Sequence, residues 1–319
     1  MTAYRFCRTD DMGLLVEAHE RCRGPEDAGE PALDRDGFKR LVRDLDLWCS
    51  SCMVAFEGRE PVGVLLGAKR AEATLVYALR VHPEHRRREH GRHLLTSLSQ
   101  KLAILGPPRL VAEVPADREA ACAAFAACGW TIGSRLTDWR RQVSLNSAPS
   151  GAREALAPVS VADLEAAGLL GTGLRCWQRD LPALEKHKER LSGLAFHSPD
   201  RIEAWALWAQ EVPPTVETPR GASPPEVSEG THGSLRVDGA AAGDAPRGVS
   251  TVGVASLLAV GCTPGSLGRL GLAAVLGEIG RPLSLTRATP EELDADLLAE
   301  LGFESGPEHL LFTSQAQAA

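Results

Sequence analysis

The chain has 319 residues, of which 44% are hydrophobic, and this length favours two domains with packed cores. Its net charge of −7 argues against general nucleic-acid binding, and no apolar run is long enough to span a membrane. Because the N-terminal residues lack the apolar segment of a signal peptide, the eight cysteines indicate free thiols in a cytoplasmic protein.

The first 70 residues show the pattern of a strand, two helices and a hairpin. Apolar side chains recur at helical spacing after Asp11 and after Asp34, and each aspartate is a suitable helix cap. The predicted elements are a strand at 4–8, helices from near Asp11 and from Asp34 or Asp36, a loop at 24–31, and hairpin strands at 52–56 and 62–66.

A strand, a basic turn and an amphipathic helix follow one another between residues 73 and 105. The apolar strand at 73–81 stops at His82-Pro83, since proline offers no N–H to a ladder. Three arginines and Gly91 then lead into a helix over 90–105. Free N–H groups and the positive end of the helix dipole meet there, which suits a phosphate group. A solvated basic helix cap is the alternative interpretation.

The rest of the first half and the whole second half show a similar order of elements. After 105 the prediction is a strand at 109–114, a helix from Asp117 to Cys128, a strand at 136–143 and a polar linker. The second half is predicted to contain strands at 154–159, 202–208, 249–260, 282–286 and 309–313, and helices at 161–170, 181–194, after the glycine-rich turn 261–271, and from Pro290 to Leu301.

Residues 211–248 interrupt the second half and are rich in proline, glycine, serine and acidic residues. Such a segment buries too little apolar surface to offset its ordering entropy, so it is predicted to be a disordered insertion. The recurring order of elements predicts two tandem copies of one α/β fold. The predicted division is a first domain at 1–144, a linker at 145–152 and a second domain at 153–319.

Several runs resemble the GNAT N-acetyltransferase superfamily. The run from Val81 to Leu95 is similar to its acetyl-CoA loop, whose pattern Arg/Gln-x-x-Gly-x-Gly/Ala falls on Arg86, Glu89 and Gly91. The runs that end in Gly129-Trp130 and Gly302-Phe303 resemble the close of the family's last helix. The resemblance implies two tandem GNAT-like folds, each a mixed central sheet flanked by helices.

The resemblance also implies an activity. Family members transfer an acetyl group from acetyl-CoA by direct attack of a substrate amine, so the expected function is an N-acetyltransferase acting on an amine of a small molecule or peptide. Acetyl-CoA would be the cosubstrate, held by residues Leu79, Val81, Arg86, Arg87, Arg88, Gly91 and Arg92. No nucleic-acid or membrane partner is expected, and the oligomeric state stays open.

Two polar residues near the expected thioester are candidate catalytic groups. Glu113 follows the acetyl-CoA helix on the next strand, where a carboxylate can relay the amine proton. Tyr77 lies mid-strand and can orient the carbonyl or act as the acid. The alternatives are an exposed strand-end carboxylate for Glu113 and a core side chain for Tyr77.

Two residues depart from the family pattern. Glu89 replaces the first glycine of the loop, and Phe125 replaces the tyrosine that commonly protonates the CoA thiolate. Both favour an alternative function: a non-catalytic tandem GNAT that binds acetyl-CoA or a protein partner in a regulatory or structural role. Placing Glu89 in the first helical turn predicts that Glu89→Gly tightens acetyl-CoA binding and slightly lowers stability.

Three further patterns are candidate sites. The turn Gly261–Gly271 is glycine-rich but carries little charge, so close packing and a CoA role are both open for it. Cys49 and Cys52 have CxxC spacing, yet no further ligands follow, and the histidines at 82, 85, 90 and 93 lack a completing carboxylate pattern. No metal site is predicted.

Overall fold

The computed structural model describes residues 2–142, 152–171, 175–210 and 253–317. The insertion predicted at 211–248 lies outside them, as does the linker at 145–152 except its last residue. The helices are α1 Met12–Arg21, α2 Arg35–Leu45, α3 His90–Leu105, α4 Glu119–Ala127, α5 Val161–Ala166, α6 Leu181–His187, α7 Ser266–Ile279 and α8 Ala295–Glu300. The strands are β1 Thr2–Phe6, β2 Met53–Glu57, β3 Glu60–Lys69, β4 Ala73–Val81, β5 Arg109–Pro115, β6 Thr131–Arg141, β7 Leu156–Pro158, β8 Ser192–His197, β9 Ile202–Gln210, β10 Ala255–Cys262, β11 Leu283–Ala288 and β12 Glu304–Gln315.

All twelve described strands form one mixed sheet, in the order β1-β2-β3-β4-β5-β12-β6-β11-β10-β9-β8-β7. This order reads as two similar halves that meet at its centre. Each half has exchanged its last strand, because β12 pairs with β5 of the first half and β6 pairs with β11 of the second. The two exchanged strands also pair with each other. Side chains of the second half therefore lie directly beside β5.

Helices cover both faces of the sheet. In the first half, α3 and α4 pack on one face, where Phe125 stacks on Phe312 of the exchanged strand β12 with ring centroids 5.5 Å apart. Helices α1 and α2 cover the other face. That face continues into a cluster in which Trp177 of the second half contacts first-half residues. The exchange thus merges the cores of the two halves.

The second half departs from the predicted elements at one point. The helix predicted over 181–194 ends at His187, and residues 192–197 form strand β8 between β7 and β9. Gly193 allows the backbone of β8 to lie close to that of Val159, because a Cβ at Gly193 would lie 1.9 Å from the carbonyl oxygen of Val159. Pairing with β9 overrides the local helical pattern of this segment.

Candidate functional site

The parallel strands β4 and β5 separate partway along their length. Their ladder ends at the pair Val76–Ala112, although β4 continues to Val81 and β5 to Pro115. We call the gap between residues 77–81 and 113–115 the first cleft. It opens a wedge in the sheet into which a narrow ligand can extend along the free edge of β4.

Tyr77 marks the point of divergence. Leu66 of β3 pairs with Ala78 and Gly67 pairs with Val76, so Tyr77 is the extra residue of a β-bulge. Its side chain is 38% exposed, and partial burial raises the pKa of its hydroxyl. Tyr77 therefore stays protonated at neutral pH and presents a donor at the base of the cleft.

The basic turn lies between β4 and α3, at the open end of the cleft. Arg87 and Glu89 both have left-handed backbone, with φ of 60° and 65°. Alternation between left-handed and ordinary residues turns successive N–H groups toward one side and forms an anion-binding nest. The backbone N–H of His93 donates to the carbonyl of Glu89 at 2.9 Å and makes the first hydrogen bond of α3. The N–H groups of the residues just before His93 therefore have no partner within the helix. This geometry suits a diphosphate.

Gly91 lies in the first turn of α3 over β4. An added Cβ would be 3.9 Å from both Leu79 and Val81, so these three residues form one wall beside the turn. Next to them His90 is buried, and its Nδ1 lies 2.8 Å from the hydroxyl of Tyr4. The residues predicted to hold acetyl-CoA are therefore contiguous in the structure.

The arginines of the turn contact different carboxylates. Arg86 donates to the Val81 carbonyl at 3.1 Å and to the carboxylate of Glu26. Arg88 lies 3.9 Å from Glu57, and Arg92 lies 3.1 Å from Glu89. The side chains of Arg88 and Arg92 are more than half exposed. An incoming phosphate can recruit these arginines at small cost, since exposed pairs contribute about 0–1 kcal/mol.

Glu89 is positioned differently from the sequence-based expectation. It is the N-cap residue of α3 rather than a first-turn residue, and its side chain makes no capping hydrogen bond. Left-handed backbone costs a non-glycine residue about 1–2 kcal/mol. The placement of Glu89 in the first helical turn is therefore corrected, and the backbone now predicts that Glu89→Gly raises stability, because glycine adopts this backbone without strain.

An acidic segment, residues 24–30 between α1 and α2, connects both sides of the first cleft. Asp27 is 2% exposed and accepts from the Gly24 N–H at 3.0 Å and from Arg118 at 2.7 Å. Glu30 pairs with Arg118 at 2.8 Å and with Arg80 of β4. Burial opposes ionisation of Asp27, but these hydrogen bonds and charges outweigh it and lower its pKa. The segment joins β4 to the start of α4 and lies on the face of α1 and α2.

Glu113 lies just past the divergence, and two second-half groups hold its carboxylate. The backbone N–H of Trp177 donates to Oε1 at 2.6 Å, and the Arg287 guanidinium donates to Oε2. The Glu113 side chain is 3% exposed. Arg287 itself has left-handed backbone, with φ of 52°, and its N–H donates to Asp138 at 2.7 Å. Strain of this kind collects at functional sites.

The second half contains the corresponding divergence, between β10 and β11. Their parallel ladder ends at Ser256–Ser284, and Leu258 is the bulge residue of β10. We call this gap the second cleft. A fully buried arginine fills it: Arg179 donates to the carbonyl oxygens of Leu258 at 3.2 Å and Thr286 at 3.0 Å. Its other contact is the carboxylate of Glu292 at 2.8 Å. The side chain occupies the position that a ligand would need.

The glycine-rich run 261–271, predicted as a turn, is instead the end of β10, a short loop and the start of α7, and its glycines serve close packing. A Cβ at Gly268 would lie 2.0 Å from the Thr263 carbonyl, and one at Gly271 would lie 2.6 Å from the ring of Phe196. Such contacts leave no room between the helix and the strands beneath it. Of the two interpretations left open by the sequence, this geometry supports packing.

The remaining sequence candidates are structural in the described residues. Phe125 is 4% exposed and lies edge-on to Trp130 with ring centroids 5.1 Å apart. Cys52 is buried, which raises its thiol pKa, and no group of three or more potential metal ligands occurs in the described part of the chain. Within the same residues, no helix is long and apolar enough to cross a membrane.

Comparison with known proteins identifies the family. The model of the acetyltransferase (GNAT) family matches residues 15–130. An acetyltransferase of Photorhabdus laumondii is 33% identical over 116 residues, which are 36% of this chain and 77% of that protein. A second, of Pectobacterium atrosepticum, is 28% identical over 142 residues, covering 43% of this chain and 96% of that one. The chain belongs to the GNAT acetyltransferase family.

Solved structures extend the likeness of fold to both halves. A tandem GNAT protein from the clavulanic acid biosynthesis pathway aligns over 100% of both chains, with a TM-score of 0.56 and 15% identity. A GCN5-related N-acetyltransferase from Sphaerobacter thermophilus aligns over 100% of this chain and 96% of its own, with a TM-score of 0.59 and 13% identity. At these identities the likeness concerns the fold alone. The tandem GNAT architecture expected from the sequence is confirmed.

Several site residues had no signal in the sequence. The pairing of Arg179 with Glu292, and of Arg287 with Glu113, joins residues more than 100 positions apart. The acidic segment looked like an ordinary polar loop. Only its dense alternation of acidic residues with glycine and proline distinguishes it, and that pattern does not identify the four arginines it contacts, Arg23, Arg80, Arg86 and Arg118.

Proposed function

We propose that the first half is an acetyl-CoA-dependent N-acetyltransferase domain. The observation that carries this proposal is the first cleft, where the diverging edge of β4 leads directly into the left-handed turn at Arg87 and Glu89. The diphosphate of acetyl-CoA would bind the N–H groups and arginines of this turn. Its pantetheine arm would run along Leu79 and Val81 toward Tyr77.

The reaction centre would lie at the base of the first cleft, where β4 and β5 diverge. A bound thioester there faces the hydroxyl of Tyr77, which can orient its carbonyl or protonate the leaving thiolate. Glu113 would place a negative charge beside the route of the amine proton. The acceptor amine, from a small molecule or peptide, would approach from the face that carries the acidic segment. Most of the rate would come from holding amine and thioester together.

The second half would serve as a structural and positioning partner. Arg179 fills the second cleft, and the glycines of the second turn are packed against neighbouring elements. One acetyl-CoA per chain is the expected stoichiometry.

Calorimetric titration with acetyl-CoA at low salt tests this proposal. Wild type should bind one equivalent, and Arg88→Glu should bind at least tenfold more weakly, because it turns a phosphate attraction into repulsion. Arg153→Glu is the matched control: this exposed second-half arginine pairs with Glu278 at 3.1 Å, far along the sheet from the turn. Two equivalents, or equal losses in both variants, would contradict the assignment to the first half.

A non-catalytic binding protein is the second candidate, favoured by one observation. Phe125 is packed in the core at the position where the family commonly has its acid, so the chain has no hydroxyl there. Acetyl-CoA binding without release of free CoA, in the presence of a broad set of primary amines, would support this candidate over the enzyme.

A further inference from the structure

The exchanged strand β12 brings a histidine of the second half beside Glu113. Leu311 pairs with Glu113, and His309 pairs with Pro115. Since alternate residues of a strand share a face, His309 and Glu113 project from the same face as diagonal neighbours. Diagonal neighbours are about 7–8 Å apart, with somewhat less between their Cβ atoms, so one water or one substrate group can bridge the two side chains.

His309 is buried but has an unused nitrogen. The residue is 8% exposed, and its Nδ1 has no hydrogen-bond partner within the described ranges. A buried ring nitrogen without a partner is uncommon and calls for a ligand, a water or a function. Glu113 differs, since each of its oxygens already accepts a hydrogen bond from Trp177 or Arg287.

The charged groups around His309 come from three strands and from the segment that follows β5. They are Arg287 of β11, Asp138 of β6, Glu113 of β5 and Asp117 after β5. Burial, followed by the positive charge of Arg287, lowers the pKa of His309 below its usual value, and the three carboxylates oppose this only in part. The ring is therefore neutral near pH 7, and one of its nitrogens carries a free lone pair.

We propose that His309 accepts the proton that the acceptor amine must lose before it attacks acetyl-CoA. This inference rests on the proposed function. The acceptor ammonium gives one proton to His309, and its nitrogen attacks the thioester carbonyl carbon. The C–N bond forms, the C–S bond breaks, and the second nitrogen proton ends on the CoA thiol. His309 then releases its proton to solvent.

In this scheme Glu113 is a positioning residue. Arg287 and Trp177 fix its carboxylate, which stabilises the imidazolium as it forms, much as an aspartate supports the histidine of a hydrolase triad. The reaction centre of the first half is thus completed by the second half, through β12 and the strained Arg287. A free first half would lack its proton acceptor.

His309→Gln and His309→Asn test the inference in the full-length protein. The acceptor probes are tyramine, spermidine, glucosamine and a tetrapeptide with a free α-amine, and released CoA is quantified by chromatography. Near pH 7 we expect kcat to fall about 10²–10³-fold with an unchanged Kd for acetyl-CoA. Wild-type kcat/KM should decline only below the usual histidine pKa of about 6.5. The loss in the variants should shrink toward pH 9, where more amine is already neutral.

The matched control is His197→Gln, on strand β8 near the far edge of the sheet, which should leave kcat unchanged. An NMR titration of histidine-labelled wild type gives a readout that needs no acceptor: the His309 resonance, assigned by its absence from either variant, should shift when acetyl-CoA binds. Binding that leaves this resonance unmoved, or a variant kcat within threefold of wild type, overturns the inference alone. Failure of wild type to bind acetyl-CoA overturns the proposed function as well.

Discussion

The two clefts arise from the same feature of the sheet but differ in what occupies them. In each, a bulge on the fourth strand of its half ends a parallel ladder. The first cleft presents the half-exposed Tyr77, whereas the second is filled by the fully buried Arg179. A wedge in a sheet is therefore a scaffold that either holds a ligand or must be filled by the protein itself, because its open backbone groups need partners. The chain shows both solutions.

The largest effect should come from the filled cleft. Arg179→Met leaves Glu292 buried, and among the described residues Arg175 at 3.5 Å is then its remaining charged partner. We therefore expect a loss of about 3–5 kcal/mol in the free energy of unfolding. Urea denaturation measures it. The double variant Arg179→Met, Glu292→Met removes both charges and should recover most of the loss. Recovery of less than a third would mean that the pair is not the main stabilising feature of the second cleft.

A smaller loss is expected where the acidic segment crosses the first cleft. Asp27→Asn keeps the shape of a buried side chain but removes its charge from between Arg80 and Arg118. Because Arg118 is partly exposed, we expect the free energy of unfolding to fall by about 2 kcal/mol, a loss between those of exposed and buried ion pairs.

The pH dependence of this loss follows from the lowered pKa of Asp27. A lowered folded-state pKa adds stability above the unfolded value of about 3.9, and that stability disappears as pH falls through the folded value. The gap between wild type and Asp27→Asn should therefore close in acid. Asp36→Asn, at an exposed position on α2, is the control and should change stability little at any pH. A gap that does not narrow as the pH falls below about 3.9 would contradict the assignment.

Glu89→Gly should tighten acetyl-CoA binding about tenfold, or 1.4 kcal/mol, by removing a carboxylate from the phosphate site. It should also raise stability by about 0.5–1 kcal/mol, since glycine relieves the left-handed backbone. Calorimetry and urea denaturation check the two effects. Glu89→Gln separates them, because it removes the charge but keeps the strain: it should improve binding without raising stability. Equal binding by all three proteins would place the diphosphate elsewhere.

The smallest expected effect is a difference between the two clefts in how far acetyl-CoA protects a nearby thiol from alkylation. Cys128 lies beside Arg92 near the first cleft, and Cys262 ends β10 beside the second; both are partly buried, which raises their thiol pKa values. Acetyl-CoA should slow alkylation of Cys128 severalfold and leave Cys262 unaffected. Mass spectrometry of alkylated peptides measures both rates in one sample. Protection of Cys262 instead would indicate a ligand in the second half.

The local elements of the first half followed from the sequence. The strand at 73–81 and the helix at 90–105 were predicted at their observed bounds, because apolar periodicity, Pro83 and Gly91 are local signals. The same signals predicted that the residues proposed to bind acetyl-CoA lie together. They failed at β8, where pairing with β9 and the room made by Gly193 decide the conformation.

What only the tertiary structure decided is the meeting of distant residues. The sequence predicted two tandem folds but contained no sign that β6 and β12 exchange places, since a strand's pattern records its buried face and not its neighbour. Nothing in the sequence distinguishes the roles of Arg179 and Arg287. In the structure, Arg179 fills the second cleft, whereas Arg287 holds Glu113 at the edge of the first cleft. Periodicity fixes which face of an element is buried. The three-dimensional arrangement fixes which charges meet there, and therefore which cleft is free to bind.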